Sequence, residues 1–317
     1  MTLVATLTLN PGIDVSTSTE RVEPLRKLRC GPGRRDPGGG GINVARVARR
    51  LGAEAIAVYP AGGFTGQLLQ QLVEREEVAS IVVPTGGETR EDFTVLEAAS
   101  GQQYRFVLPG PHLHGVEWMA CLRALAELPR KPDIVCASGS LPPGAPDDFY
   151  ARVAEIVCSW GARLALDCAG APLKAALDER VFLIKPNLRE LSELVGRPLP
   201  DDAARLDACR ELIAGRRLEA VALTLGAEGA MLVTRDLVLR APGLPIEPIT
   251  TVGAGDSFLG AMVWALASNL TLAEAFPYAV AAGSAALMAD GTELCRAEDV
   301  RRLLPRVIVQ ALAPSPV

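Results

Sequence analysis

The chain has 317 residues, enough for one large α/β domain; 49% are apolar but only 4% aromatic, so the core must be aliphatic. A net charge of −5 offers no basic surface for nucleic acid. Seven cysteines without a CxxC pair and only two histidines, His112 and His114, argue against a disulfide framework, a zinc site or a histidine triad. Residues 1–10 lack the basic start and long apolar run of a signal peptide. The longest apolar stretch, 279–289, is too short for a membrane span and contains Gly283 and Ser284. A cytoplasmic protein with reduced thiols and no nucleic-acid or membrane partner is expected.

In chain order, residues 3–9 predict a buried strand, followed by Asn10-Pro11-Gly12 and then Asp14. A carboxylate just past a strand's C-terminal end can hold a sugar diol, although a solvated turn residue is the alternative. Residues 14–35 show β-like character without a helix. Pro37-Gly38-Gly39-Gly40-Gly41 then runs into a helix predicted at 41–51, with Asn43 in its first turn. Glycine permits close backbone approach to a ligand, and Asn43 offers both donor and acceptor to a hydroxyl-rich one. The alternative is a flexible loop before an ordinary helix start. A strand at 55–59, the turn Pro60-Ala61-Gly62-Gly63 and a helix at 66–75 repeat the pattern.

Residues 89–107 again lack a helix, and Ala99-Ser100-Gly101 reads as a hairpin turn. The two helix-free regions, about 12–36 and 88–109, predict a small β-sheet that caps a cleft or pairs with another subunit. Lys27, Arg90 and Arg105 fall in that lid, where cations can grip a phosphate. Helices are then predicted at 116–128, 147–160 and 203–214, and strands at 134–137, 163–167, 181–184 and 220–225. This alternation predicts a mostly parallel sheet with helices on both faces. The tail at 313–317 reads as frayed.

Near the end, Thr250-Thr251-Val252-Gly253-Ala254-Gly255-Asp256 precedes an apolar helical stretch at 259–267. Glycines that turn N–H groups to one point, plus a helix N-terminus, make an anion site. A carboxylate there is out of place unless it works as a base: Asp256 could take a hydroxyl proton while the N–H groups meet a transferring phosphoryl group. The alternative is an Asp helix cap worth ~1 kcal/mol. Neither a Walker A loop nor a dinucleotide fingerprint is present.

Together these residues resemble the ribokinase-like carbohydrate kinases in their phosphofructokinase B branch, and within it the bacterial minor 6-phosphofructokinase group. The matching segments run in family order over almost the whole chain. They include Thr6-Leu7-Thr8-Leu9, Lys27-Leu28-Arg29-Cys30, residues 37–46, Ser138-Gly139-Ser140, Lys185-Pro186-Asn187, residues 251–256 and Gly291-Thr292. The resemblance implies one ribokinase-like three-layer α/β/α domain over 1–317, with a β-sheet lid. It implies Asp256 as base and Gly253, Ala254 and Gly255 as anion hole. Asp14, Gly39, Asn43, Arg90, Arg105 and Ser140 would bind the sugar phosphate. ATP would be held by Lys185, Asn187, Thr224, Gly226, Gly229 and Ser284. Lys27 would reach a ligand at the neighbouring subunit of a homodimer joined through the lids. Mg²⁺ would be organised by Asn187 and Glu190. A monovalent cation, K⁺, would take oxygens of Thr250, Val252, Ala286, Ala289, Gly291 and Glu293.

The branch phosphorylates fructose 6-phosphate, fructose 1-phosphate or tagatose 6-phosphate. The last two groups commonly carry Gly-Gly-Lys-Gly where this chain has Gly38-Gly39-Gly40-Gly41, so Gly40 favours fructose 6-phosphate. Asn10 and Glu293 depart from the nearest group, and Asn10 keeps the other two acceptors open. A non-catalytic sugar-phosphate or nucleotide sensor on the same fold is a further reading, opposed by the presence of Gly253, Gly255 and Asp256 together.

Overall fold

The computed structural model describes residues 2–215, 217–289 and 291–312. The expected frayed tail at 313–317 lies outside the described residues. The strands are β1 (Leu3–Leu7), β2 (Gly12–Thr19), β3 (Arg34–Gly38), β4 (Glu54–Ala61), β5 (Ala79–Pro84), β6 (Arg90–Glu97) and β7 (Gln103–Phe106). They continue with β8 (Ile134–Ser138), β9 (Arg163–Asp167), β10 (Val181–Ile184), β11 (Leu218–Thr224), β12 (Ala230–Thr234), β13 (Val238–Ala241) and β14 (Gln310–Ala311).

The main sheet has the order β14-β13-β12-β11-β10-β9-β8-β1-β4-β5. Strands β5 to β11 of that order are parallel, and β12, β13 and β14 are added antiparallel. Its central strands are buried on both faces, which explains why Leu3–Leu7 and Val181–Ile184 read as unbroken apolar runs. Alternation sends neighbours to opposite cores. Leu164 and Leu166 pack with helices Phe149–Ser159 and Asp202–Ala214, whereas Ala165 packs with Gly40–Arg50 and Ala254–Ala267. The result is the expected three-layer α/β/α stack.

Chain order reverses between β1 and β8: β1, β4 and β5 wind one way, β8 to β11 the other. Such a switch point opens a crevice at the C-terminal strand ends. Over it lies the second sheet, β3-β2-β6-β7, built from the two helix-free regions. Registers Asp14↔Asp92 and Thr94↔Arg105 put Asp14, Asp92 and Arg105 on one side of this lid, and Phe93 and Phe106 on the other.

Several elements lie beyond the sequence expectations. β5 is an edge strand, and β12–β13 form a hairpin closed by Thr234, whose hydroxyl accepts from the Asp236 and Leu237 N–H groups. The helix Leu188–Val195 is only eight residues long, although Leu188, Leu191, Leu194 and Val195 fall at helical spacing. Among the described residues no helix is long and apolar enough to cross a membrane.

Candidate active site

Four strand ends and one helix start converge on a cleft of about 1100 Å³. Asn10 follows β1, Ser140 follows β8, Asp167 ends β9 and Lys185 follows β10. Opposite them the helix Ala254–Ala267 begins at Gly253, whose φ of 76° is in the left-handed region that favours glycine. A Cβ there would also lie 2.6 Å from Leu294 Cδ2. At Gly255 a Cβ would stand 3.2 Å from Lys185 Nζ, inside the space between the helix start and that cation.

Asp256 lies in the helix's first turn, half-buried, with Oδ2 accepting from Asn43 Nδ2 at 2.8 Å. Loss of hydration, then the nearby Asp167 carboxylate, push its pKa up to about 6, against the pull of Asn43, Lys185 and Arg105. Asp14 is likewise raised to about 6, by burial and by Asp92 and Asp256, with Arg105 and Arg90 opposing. Lys185 is buried 3.3 Å from Asp167 Oδ1. Burial alone would lower its pKa, but Asp167, Asp256 and Glu190 outweigh it and hold the ammonium charged.

The glycine run is shaped by close packing rather than by looseness. Gly39 has φ 111°, and a Cβ on it would approach Thr8 Cγ2 to 2.7 Å. A Cβ on Gly40 would meet Ser138 Oγ at 2.1 Å, so a longer side chain there has no room without rearrangement. In the lid, Arg90 pairs with Asp92 at 2.8 Å and donates to the Asn10 carbonyl at 3.2 Å, which anchors β6 over β1. Asn10 Nδ2 donates to Ser140 Oγ at 3.2 Å.

Of the expected residues, Asp14, Gly39, Asn43, Arg90, Arg105, Ser140, Lys185, Glu190, Val252, Gly253, Gly255 and Asp256 line this one cleft. Asn187 and Glu190 form a reciprocal cap on helix Leu188–Val195, each side chain accepting at 2.9 Å from the other's N–H. Thr224 bridges to Asn187, and Gly226 and Gly229 make the turn beyond it at φ 59° and 101°. These three and Ser284 lie outside the lining of the cleft, as do Ala254 and the exposed Lys27.

A cation loop was expected from Thr250, Val252, Ala286, Ala289, Gly291 and Glu293. Ile249 and Thr250 donate to Leu287 O, joining two of its segments. The Glu293 carboxylate is engaged by Arg34 and Arg296, at 3.2 and 3.1 Å. No cluster of three His, Cys, Asp or Glu side chains able to hold a metal occurs among the described residues. Sequence reasoning missed Asp167, Asp92 and Arg46. The signal for Asp167 was present: the apolar strand Arg163–Asp167 ends on a carboxylate at a sheet's C-terminal edge, the same cue that singled out Asp14.

Comparison with known proteins agrees with this geometry. A family described as pfkB family carbohydrate kinase matches residues 2–299. An ATP-dependent 6-phosphofructokinase isozyme 2 from Mycobacterium tuberculosis is 43% identical, over 94% of this chain and 88% of its own length. The protein of the same name in Escherichia coli is 40% identical, over 96% and 98%. A crystal structure of the Escherichia coli phosphofructokinase-2 in complex with potassium superposes with a TM-score of 0.92, at 38% identity, over 96% of this chain and 99% of that one. A tetrameric inhibited form of that enzyme superposes with a TM-score of 0.90, at 38% identity, over the same shares.

Proposed function

The chain belongs to the pfkB family of carbohydrate kinases, and from that premise we propose that it is an ATP-dependent 6-phosphofructokinase acting on the C1 hydroxyl of fructose 6-phosphate. The observation that carries this reading is Asp256 at a glycine-flanked helix start, in a cleft larger than one ligand needs. Relatives named for this activity match nearly the full length, and the closed space at Gly40 supports the same acceptor.

In this reading the free oxygen of Asp256 takes the C1 hydroxyl proton as the sugar's C1 oxygen bonds to the γ-phosphorus of ATP. The bond to the ADP oxygen breaks, and fructose 1,6-bisphosphate and ADP leave. The N–H groups of residues 253–255 and the Lys185 ammonium face the charge that spreads over the phosphoryl oxygens. Asp14, Asn43 and Ser140 orient the sugar with Gly39 beneath it, and Arg90 and Arg105 hold its 6-phosphate from the lid. Asn187 and Glu190 would hold Mg²⁺ through water, with Asp167 facing the same space; bound, the ion neutralises phosphate charge. Thr224, Gly226 and Gly229 would edge the nucleotide, with Ser284 beside its base. K⁺ would lie among backbone oxygens of Thr250, Val252, Ala286, Ala289, Gly291 and Glu293. We read the whole chain as one ribokinase-like unit, and as a homodimer through the lid sheets, where Lys27 reaches a ligand of the second copy.

The test is turnover with ATP on fructose 6-phosphate, tagatose 6-phosphate and fructose 1-phosphate side by side, followed by ADP release. The highest kcat/KM is expected on fructose 6-phosphate. A higher value on either other sugar would overturn the acceptor, and no ADP release on any would overturn the kinase reading.

A further inference from the structure

Arg46 lies one turn beyond Asn43 on the helix Gly40–Arg50 and is 0% exposed. A guanidinium is buried only with partners, and here they are specific. Nη1 donates to the Pro37 carbonyl at 3.0 Å and to Asn43 Oδ1 at 3.1 Å. Nη2 donates to Glu76 Oε1 at 2.8 Å and stands 3.9 Å from Asp36 Oδ1. Glu76 does not require this arginine, because Arg50 Nη2 already reaches both its oxygens at 3.1 and 3.0 Å.

We propose that Arg46 is a positioning residue for Asp256: it fixes which way the Asn43 amide faces and so keeps Nδ2 on the catalytic carboxylate. The inference rests on the proposed role of Asp256 as base. The argument is one of donors and acceptors. Arginine carries only N–H donors, and an ionised carboxylate only acceptors. An amide wedged between them must turn its oxygen to Arg46 and its NH₂ to Asp256. A half-turn of the amide would set Oδ1 against the Asp256 carboxylate, where little water remains to screen the repulsion. With Oδ2 held by Asn43, the other carboxylate oxygen is the one left for the sugar hydroxyl. Asp256 is otherwise faced by Asp167, Lys185 and Arg105, and by Asp14 from the lid. Among the described residues Arg46 pairs with the carboxylates Glu76 and Asp36, which it shares with the cations Arg50 and Arg34.

Arg46→Lys keeps a cation for Glu76 and Asp36 but loses the fork that spans Asn43, Pro37 and Glu76 together. It should lower kcat about 10- to 100-fold, the cost of a misplaced catalytic partner, and change KM less. The acid limb of kcat/KM should move to higher pH, because the Asn43 bond favours the ionised Asp256. In the Asn43→Ala background the same substitution should change kcat by no more than about twofold. Equal loss in both backgrounds would overturn the proposal. If Arg46→Lys does not fold, Arg46→Met with Glu76→Gln removes the charge pair together and enters the same comparison.

A second readout needs no turnover. The chain has four asparagines, Asn10, Asn43, Asn187 and Asn269, so ¹⁵N-asparagine labelling gives few side-chain amide signals, and Asn43→Ala assigns one. That signal should titrate with a midpoint near 6, the value to which burial pushes the Asp256 carboxyl, and lose this response in Arg46→Lys. A signal indifferent to pH between about 4 and 8, or unaltered by Arg46→Lys, would refute the proposal. Absence of sugar-kinase activity would instead sink the functional reading and leave this measurement standing.

Discussion

Two carboxylates with pKa values near 6 face one cleft, and their environments say which neighbours tune them. For Asp256 burial comes first and Asp167 second, and together they push its pKa up to about 6, within reach of neutrality for the base proposed above. Because a base must be ionised, kcat/KM should fall below about pH 6, with a limb that belongs jointly to Asp256 and Asp14. Asp167→Asn removes a negative neighbour and should move that limb to lower pH. Lys185→Met removes a positive one and should move it to higher pH. pH–rate profiles in which both move the same way would contradict the assignment. Asp256→Asn should cut kcat by at least ~10², and retained turnover would rule out the base. The same change has a stability sign. The folded pKa of about 6 lies above the usual 3.8, so burial of this carboxylate destabilises the fold from about pH 4 upward and fully above pH 6. Asp256→Asn should therefore raise Tm at pH 8 and leave it unchanged near pH 3, a trade of activity against stability. A lower Tm at pH 8 would show that Asp256 is structural.

The helix Ala254–Ala267 joins Asp256 to the fold, and the two glycines that flank Ala254 at its start serve different ends. Gly253 has a left-handed φ of 76° and packs under Leu294, so Gly253→Ala meets both a backbone penalty of about 1 kcal/mol and a collision. It should lower Tm by about 2 °C or more as well as kcat. Gly255 carries no such backbone demand; its added methyl would press only on Lys185 Nζ. Gly255→Ala should therefore keep Tm while weakening turnover, and thermal unfolding beside initial rates separates the two outcomes. Equal Tm losses would mean that both glycines are architectural. Elements like this one are legible because a glycine turn and a long apolar period announce them. The parallel strands at 134–138, 163–167 and 181–184 are legible for a related reason, burial on both faces giving short unbroken apolar runs. The edge strand β5, the hairpin β12–β13 and the short helix Leu188–Val195 are not, because their patterns are too brief or too weakly periodic to separate from loops. At the site, Asp256 and Asn43 stand out because glycines flank them. Asp167 and Arg46 sit in ordinary surroundings and acquire meaning only from what folding brings beside them.

On the scale of the molecule, the lid is tied to the body at several places and bare at another. Thr292 Oγ1 donates to Asp36 Oδ2 at 2.7 Å, Arg34 pairs with Glu293 at 3.2 Å, and Gln103 contacts Thr250 and Ile249 at 3.4 Å. Those contacts join β3 and β7 to the segments on either side of the helix Ala254–Ala267. The far side of the lid is different. Phe93 and Phe106 are register partners, 39% and 53% exposed. Scattered exposed apolar residues are ordinary, but two phenylalanines paired side by side on a thin sheet make a surface that water covers poorly. A four-stranded sheet with Asp14 and Arg105 on one side and two phenylalanines on the other is completed most simply by a second copy of itself. Sedimentation should give twice the monomer mass for the native chain, and Phe93→Asp with Phe106→Asp should return it to the monomer mass. Because both residues are already exposed, far-UV circular dichroism should be unchanged. Arg90 and Arg105 sit on the same strands as the two phenylalanines, so loosening the lid should raise KM for the sugar phosphate more than it lowers kcat. A native chain that sediments as a monomer, or a doubly substituted one that remains a dimer, would show that copies do not meet through the lid.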